Sequence, residues 1–214
     1  MLNDVLFNNK SAYQDWNIVL TKTDIGLPKI KTSTVEIKGA DGILDLSEVL
    51  TGDVIYGNRD IKLTFSMMNL EDYHTLISEI SNYIHGRKLN IRFTMDEEYY
   101  YVGRCQISQW ECNKNIGKIV VNISAEPFKY RFYETVVIVK LLGDEQVIHL
   151  QNDRMRISPT VTASGNVTLK YNGTTRTLQE GKQQVIDFVL NEGDNVVVLN
   201  GDGDVKITYR RGKL

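Results

Sequence analysis

The sequence predicts a mainly β protein, with an N-terminal antiparallel β-sandwich-like domain that carries one amphipathic helix and a C-terminal β-sandwich domain. Three observations predict this class. Apolar and polar residues alternate with a period of two in several short segments, 16 glycines and three prolines punctuate the chain, and one segment has helical periodicity. A chain of 214 residues has room for one large β domain or two of ordinary size.

Three segments of the N-terminal part alternate clearly. Alternation of this kind is typical of half-buried strands in an antiparallel sheet. The predicted inward positions are Ile61, Leu63, Phe65 and Met67, then Ile91, Phe93 and Met95, then Ile119, Val121, Ile123 and Ala125. The acidic run at residues 96–98 lies between "LNIRFTM" and "YYYVGR", so we interpret it as an exposed hairpin tip rather than as a catalytic carboxylate pair.

One segment, residues 70–85, follows the helical period. Its apolar residues recur at intervals of three and four and would form one face of an amphipathic helix. Asn69 is a suitable N-cap, and the negative charge of Asp72 stabilises the exposed backbone amides of the first helical turn. Gly86 occupies the expected C′ position at the other end. The predicted apolar face consists of Tyr73, Leu76, Ile77, Ile80 and Ile84.

The texture of the sequence changes at residues 124–134, and we place a domain boundary between residues 132 and 133. Beyond it, short strands are separated by glycine-containing turns. Asn172-Gly173 is the strongest hairpin signal in the chain. Residues 195–209 are interpreted as a second hairpin, whose NGDGD segment is a turn and not a calcium loop, because the closing acid of such a loop is missing.

Composition excludes several classes of function. A net charge of −2 without a basic run argues against capture of nucleic acid or of an anionic membrane. The N-terminus lacks the apolar core of a signal peptide, and residues 135–142 are too short to span a bilayer. Cys105 and Cys112 lie in one predicted strand, roughly 23 Å apart, so both are expected to be free thiols.

No catalytic, cofactor or metal motif stands out. His74, His85 and His149 have no Cys, Asp or Glu at ligand spacing, and no nucleophile elbow or phosphate-binding loop occurs. We therefore expect neither an enzyme nor a bound metal or cofactor. A peptidoglycan hydrolase would need a Cys-His or acid pair that we do not find.

One candidate function is that of a β-sandwich protein that binds carbohydrate and contacts the surface of a host cell. His149, Asn152 and Arg154 are residue types used by galectin-type sugar sites, although their spacing differs and this domain has no Trp. Its aromatic residues are spaced like core residues: Tyr171, Phe188 and Tyr209.

Four landmarks in order carry a resemblance to a known family. They are "GADGILDLSEVLTGDVIYGNRDIKLTF", a helix that ends in "YIHGRKLNIRF", then "DEEYYYVGRCQISQWE" and "GKIVVNISAEPFKY". Together they resemble the distal tail protein (Dit) family of siphovirus-type bacteriophages and related prophages. The resemblance is good over residues 16–130 and weaker beyond, where "NEGDNVVVLNGDGDVKITYRRGKL" still fits.

The resemblance implies a structural role in a phage tail tip. Residues 1–132 would form a homohexameric ring that joins the tail tube protein to the tail-associated hub protein, and residues 133–214 would be a galectin-like β-sandwich that serves as an attachment platform, also for a receptor-binding protein. The protein would be assembled in the host bacterial cytoplasm and end in the virion.

The glycine-rich stretch at residues 39–59 is the predicted subunit interface. We expect glycines with positive φ, a strand from Val54 with a bulge at Gly57, and surface charges, with Arg59 facing an acid of the next subunit. The alternative is an Ω-like loop packed on its own sheet. The candidate interface residues are Gly39, Asp41, Gly42, Asp45, Tyr56, Gly57, Asn58 and Arg59.

Overall fold

The computed structural model describes residues 3–67, 73–113 and 116–214. The chain divides into two compact units, one of residues 1–129 together with Leu214 and one of residues 130–213. Each unit has its own cluster of buried apolar side chains.

The first unit is a sheet with a helix against it. Its main sheet has the strand order β2-β1-β7-β8-β9-β6-β3, and all of these neighbours are antiparallel. The elements in chain order are β1 (Val5–Phe7), β2 (Lys10–Ser11), α1 (Ala12–Trp16), β3 (Val19–Ile25), β4 (Thr34–Val35), β5 (Leu44–Asp45), β6 (Arg59–Met67), α2 (Tyr73–Ile84), β7 (Lys88–Phe93), β8 (Tyr99–Asn113) and β9 (Ile116–Ala125).

The alternating strands point their apolar side chains inward as predicted, with one exception. Every predicted inward residue of β6 and β9 is buried, and so are Ile91 and Phe93 of β7. The prediction was wrong for Met95, which is 60% exposed. β7 ends at Phe93, so Met95 lies in the turn before β8, where the alternation no longer applies.

Helix α2 presents the predicted face to the core. Tyr73, Ile77, Ile80 and Ile84 are buried, and Leu76 packs beside them. The helix ends where predicted, since Gly86 has a φ of +77° and takes the left-handed conformation that favours glycine. The predicted start of the helix, with its cap at residue 69, lies outside the described residues.

The short helix α1 was not predicted from the sequence. Five residues give too little periodicity to detect, but the local signal for its start is present. The Ser11 side chain accepts a hydrogen bond from the backbone N–H of Gln14 at 2.8 Å, which is an N-cap. The helix buries Trp16 in the core, 6.1 Å from the ring of Phe7.

The second unit is built of strands around one apolar core. A short strand, β10 (Lys129–Arg131), lies at the boundary of the units. It is followed by β11 (Thr135–Leu142), β12 (Gln146–Asn152), β13 (Thr160–Ala163), β14 (Asn166–Tyr171), β15 (Thr174–Leu178), β16 (Gly181–Gln184), β17 (Gly193–Tyr209) and β18 (Gly212–Lys213).

The 17-residue strand β17 lies at the centre of this second sheet. β11 pairs with residues 202–209 of β17, and β12 continues down the same strand along residues 193–199. On its other side β17 pairs with β13 and then with β14. β16 and β15 pair with those two strands in turn. β11 and β12 therefore form one edge of the sheet, and β15 and β16 form the other.

The predicted hairpin over residues 195–209 was wrong, because this segment is the single strand β17. Its odd-numbered residues face the core on both sides of the NGDGD segment, including Leu199 and Val205. Gly201 and Gly203 continue this phase at the bend. A Cβ on Gly201 would lie 2.0 Å from the carbonyl oxygen of Asn166, so the neighbouring strand leaves room for glycine alone.

The hairpin at Asn172-Gly173 is confirmed. Both residues have positive φ, +46° and +79°, as a two-residue type I′ turn requires. Tyr171 and Thr174 on either side are register partners. Gly173 differs from Gly201 in its surroundings, since no heavy atom lies within 4 Å of a Cβ placed on Gly173.

Candidate functional site

The stretch between β3 and β6, residues 26–58, buries almost none of its residues. The structure describes every residue of this segment, which we call the arm, and Pro28 is the one among them that is buried. A segment of this length that buries so little apolar surface gains little stability from its own packing. An Ω-like loop packed on its own sheet would bury more of its side chains than this segment does.

Backbone hydrogen bonds hold the two limbs of the arm together near its base. Gly26 N–H donates to the carbonyl oxygen of Asp60 at 2.9 Å. Farther out, the N–H of Lys31 donates to Ile55 at 2.8 Å and that of Gly57 donates to Lys29 at 2.7 Å. The outgoing and returning limbs thus run antiparallel and close to each other. The strand expected from Val54 is absent from this returning limb, since β6 begins at Arg59 and no bulge occurs at Gly57.

The outer part of the arm is the two-stranded sheet of β4 and β5 and the turn between them. Thr34 and Val35 pair with Asp45 and Leu44. Gly39 and Gly42 have φ values of +88° and +80°, as expected, and a Cβ on either would meet no atom within 4 Å. Glycine is needed here for its backbone conformation and not for space. An isolated two-stranded ribbon of this size is marginally stable in water.

The two acidic residues that were predicted at the interface, Asp41 and Asp45, are exposed. Asp41 lies in the turn between the two short strands. Asp45 accepts a hydrogen bond from the backbone N–H of Ser47 at 2.9 Å, and hydrogen bonds from Ser47 lower the pKa of Asp45. The Ser47 hydroxyl in turn accepts from the N–H of Ser33 at 2.8 Å, which joins the two limbs. Asp45 therefore orders the arm and still presents its charge to solvent.

The arm also exposes a series of large apolar side chains, which sequence reasoning missed. Leu50 is 97% exposed and Leu27 is 80% exposed. Exposed apolar side chains that cluster in one segment are typical of a contact surface, whereas single ones scattered over a protein need no explanation. The members are Leu27, Ile30, Val35, Ile37, Ile43, Leu44, Val49, Leu50 and Ile55.

Arg59 is buried within its own unit, so its prediction as a surface charge was wrong. It is 2% exposed, its Nε donates to the carbonyl oxygen of Pro127 at 2.8 Å, and its guanidinium lies 5.2 Å from the centre of the Tyr101 ring. Burial lowers the pKa of Arg59, and Tyr101 partly offsets this effect. The signal was present in the sequence, because Arg59 shares the inward phase of Ile61 and Leu63.

The remaining predicted interface residues fasten the arm to its own unit. Tyr56 packs edge-on against Phe128, with ring centres 5.7 Å apart. The Asn58 side chain donates to the Ser124 hydroxyl at 3.1 Å. These contacts, together with the Gly57 hydrogen bond described above, define the base from which the arm extends.

Comparison with known proteins identifies the fold. No protein-family model and no curated protein matches the chain. Among solved structures, the Dit protein of SPP1, called a paradigm of the hub adsorption apparatus in phages that infect Gram-positive bacteria, matches with a TM-score of 0.73 and 12% sequence identity. The match covers 100% of both chains. This chain has the Dit fold.

The alignment to the Dit fold runs from end to end and so includes both units and the arm. A de novo designed double-stranded β-helix also aligns, over 38% of this chain, but its TM-score of 0.24 is too low to indicate a shared fold.

One concave surface on this Dit fold contains the Cys105 thiol, which is not activated as a nucleophile. The cavity, of about 710 Å³, is lined by polar residues of β6, β8 and β9 and also by Cys105 and His85. Burial raises the pKa of Cys105 to about 12, which is the opposite of what a catalytic thiolate requires. His85 Nδ1 accepts a hydrogen bond from the N–H of Ile107 at 3.2 Å.

The predicted sugar-site residues do not form one site. His149 is exposed and lies 2.7 Å from Asp194, whereas Asn152 is buried and donates to the carbonyl oxygen of Met155 at 2.8 Å. Tyr171, Phe188 and Tyr209 are core residues, as predicted. A sugar platform would need an exposed aromatic side chain in place of these buried ones.

The described part of the chain contains neither a cluster of potential metal ligands nor a membrane-spanning helix. Over residues 3–67, 73–113 and 116–214, no group of three or more His, Cys, Asp and Glu side chains is placed to hold a metal ion. Within the same described part of the chain, no helix has both the length and the apolarity needed to cross a membrane. Cys105 and Cys112 are both free, as predicted.

Proposed function

We propose that this chain is a distal tail protein, a structural component of a phage tail tip. In this role, six copies form a ring hub that connects the tail tube protein to the tail-associated hub protein and to the host-adsorption apparatus. The Dit fold supports the proposal, and the solved relative with that fold is itself a hub adsorption protein.

The exposed arm is the observation that carries the assembly role. Its apolar side chains, of which Leu50 is the most exposed, gain about 25 cal/mol for each Å² of apolar surface that a partner covers. A ring of identical subunits needs a heterologous contact, in which one patch of each subunit fits a different patch of the next. An arm that extends from one subunit and binds its neighbour provides such a contact.

The two parts of the chain take different tasks in this proposal. Residues 1–132 form the ring and provide the arm. Residues 133–214 form a galectin-like β-sandwich on which a receptor-binding protein and other adsorption proteins attach. The chain is assembled in the host bacterial cytoplasm and is located at the tail tip of the virion.

The native mass of the purified protein tests the proposal. Six copies of 24.4 kDa correspond to about 146 kDa, and light scattering together with negative-stain images of the same sample measures both mass and shape. We expect ring-shaped particles of this mass. A monomer at every concentration, without ring-shaped particles, would contradict assembly through the arm.

A further inference from the structure

The two edges of the sheet in the second unit carry different outward side chains. Edge strands are normally protected from pairing with other chains by polar and charged residues. The edge formed by β15 and β16 follows this rule, with outward residues Thr175, Thr177, Lys182 and Gln184. On the other edge, β12 alternates Val147 with the polar His149 and Gln151, whereas the outward residues of β11 are Val136, Ile138 and Leu142 with the single charge of Lys140.

The β11 edge is open to another strand. Ile138 is 71% exposed and Leu142 is 74% exposed, and among the described strands β11 pairs with β17 alone. Because β11 is eight residues long and no described strand pairs with its second side, that side offers backbone donors and acceptors beside an apolar surface. The carbonyl oxygen of Lys140 already accepts a hydrogen bond from the Gln146 side chain at 3.2 Å, and a second strand would have to replace this bond.

The residues around β11 would complement those of a second copy of β11 that runs antiparallel to it. Glu134 and Lys140 lie three positions on either side of Val137, and Val136 and Ile138 lie one position on either side. All four flanking residues are exposed; Val136, Ile138 and Lys140 lie on one face of β11, and Glu134 directly precedes the strand in the same alternation. We propose that β11 binds β11 of a second copy of this chain, antiparallel and about a two-fold axis at Val137.

This register forms ion pairs and apolar pairs at once. Each Glu134 lies opposite Lys140 of the other copy, and each Val136 lies opposite Ile138, at the Cβ separation of about 4.5–5.5 Å that directly opposed residues have. A shift of the axis to Ile138 would place Lys140 opposite Val136 and remove both ion pairs. The charges therefore select the register.

Both charged groups are available for the contact. Glu134 lies 3.2 Å from Arg210 with half of its side chain exposed, so its carboxylate has room for a second cation. Lys140 lies opposite Asp204 of β17, and no ion pair of the Lys140 ammonium occurs among the described residues. Within the described part of the chain, the lysine on the outward face of β11 thus has no ion-pair partner.

This contact goes beyond the proposed ring and is independent of it. It is isologous, because the same patch serves both copies, whereas the contacts in a ring are heterologous. It also uses residues of the second unit and none of the arm. Since one strand pair buries much less than the ~1,600 Å² of a standard interface, we expect a weak dimer with a Kd of about 10 µM or higher.

The test uses the full chain with Leu50→Asp in the arm, so that ring formation does not mask the dimer. Sedimentation equilibrium over a range of concentrations should show a species of about 49 kDa, twice 24.4 kDa. Ile138→Lys should raise the Kd at least tenfold, because the side chain enters the two-fold contact twice. Gln184→Lys places the same charge on the other edge and should leave the Kd unchanged.

A charge exchange tests the register. Lys140→Glu alone places two carboxylates opposite Glu134 residues and should raise the Kd at least tenfold. Lys140→Glu combined with Glu134→Lys restores opposite charges and should recover the dimer, since the surface pair with Arg210 that is lost contributes little.

Other results would overturn the inference. A monomer at all concentrations, or a dimer that Ile138→Lys leaves intact, would show that the β11 edge does not bind a second copy. A dimer that the charge exchange fails to restore would overturn the register. If Leu50→Asp leaves rings intact, the role of the arm fails, and the effect of Ile138→Lys on the mass of those particles still tests the edge separately.

Discussion

Replacing Leu50 by aspartate is expected to abolish self-assembly and to leave the subunit folded. Leu50 is 97% exposed, so in the free subunit the change should alter the free energy of unfolding by no more than about 0.5 kcal/mol. Burial of a leucine side chain in a contact contributes about 1.5–3 kcal/mol, and burial of an unpaired carboxylate in its place adds a further cost. Each contact should therefore weaken by at least about 3 kcal/mol, more than a hundredfold.

The measurement is the mass of wild-type and variant protein by light scattering over the same concentrations, with a thermal melt of each. We expect the wild type at about 146 kDa, which is six times 24.4 kDa, and the variant no heavier than the β11 dimer of about 49 kDa. Ile186→Asp is the matched control, because Ile186 is 75% exposed and lies in the second unit, outside the arm. It should keep the wild-type mass.

A Leu50→Asp protein with the wild-type mass would refute the role of the arm in assembly. A variant that melts at a clearly lower temperature than the control would refute the reasoning in another way. It would show that Leu50 stabilises the subunit itself, and loss of assembly could then follow from unfolding.

Three further predictions follow from the packing of single side chains. Gly201→Ala should lower the free energy of unfolding of the second unit by more than about 3 kcal/mol in urea, because the added Cβ would overlap a backbone carbonyl of the next strand. Gly173→Ala should lower it by about 1 kcal/mol, and equal losses for the two variants would contradict the prediction. Arg59→Met should lower the free energy of unfolding by about 1–3 kcal/mol without changing the native mass, and a loss of assembly in a stable variant would restore Arg59 as an interface residue. At pH 8, iodoacetamide should modify the exposed Cys112 and spare Cys105, because burial raises the pKa of Cys105 to about 12. The intact mass of the native protein should therefore show one adduct, and two adducts would contradict the burial of Cys105.

Local patterns predicted much of the first unit. The alternation in β6 and β9 and the helical face of α2 placed their inward residues correctly, because the side-chain period of a strand or helix is a property of the chain itself. The same alternation placed Arg59 inward, in phase with Ile61. We assigned it to the surface from its charge, but the Pro127 carbonyl and the Tyr101 ring, which make its burial tolerable, come from distant positions in the sequence.

The glycine signals show where local reasoning ends. Asn172-Gly173 and the NGDGD segment both predict turns, and only the first is one. The unbroken phase from Val197 through Gly201 to Val205 is a sequence signal for a continuous strand, and it could have corrected the second prediction. Nothing local, however, places the strand that lies close to Gly201.

The sequence by itself determined the β class, the phase of the core strands, the face of α2 and the free thiols, since each depends on the spacing of neighbouring residues. The tertiary structure alone decided that residues 26–58 extend as an arm with Leu50 exposed, and that β17 bends where a hairpin was expected. The physical reason is the same in both cases. Burial and strand pairing depend on which distant segments come into contact. An apolar residue such as Leu50 is the same in the sequence whether a core or a partner covers its side chain.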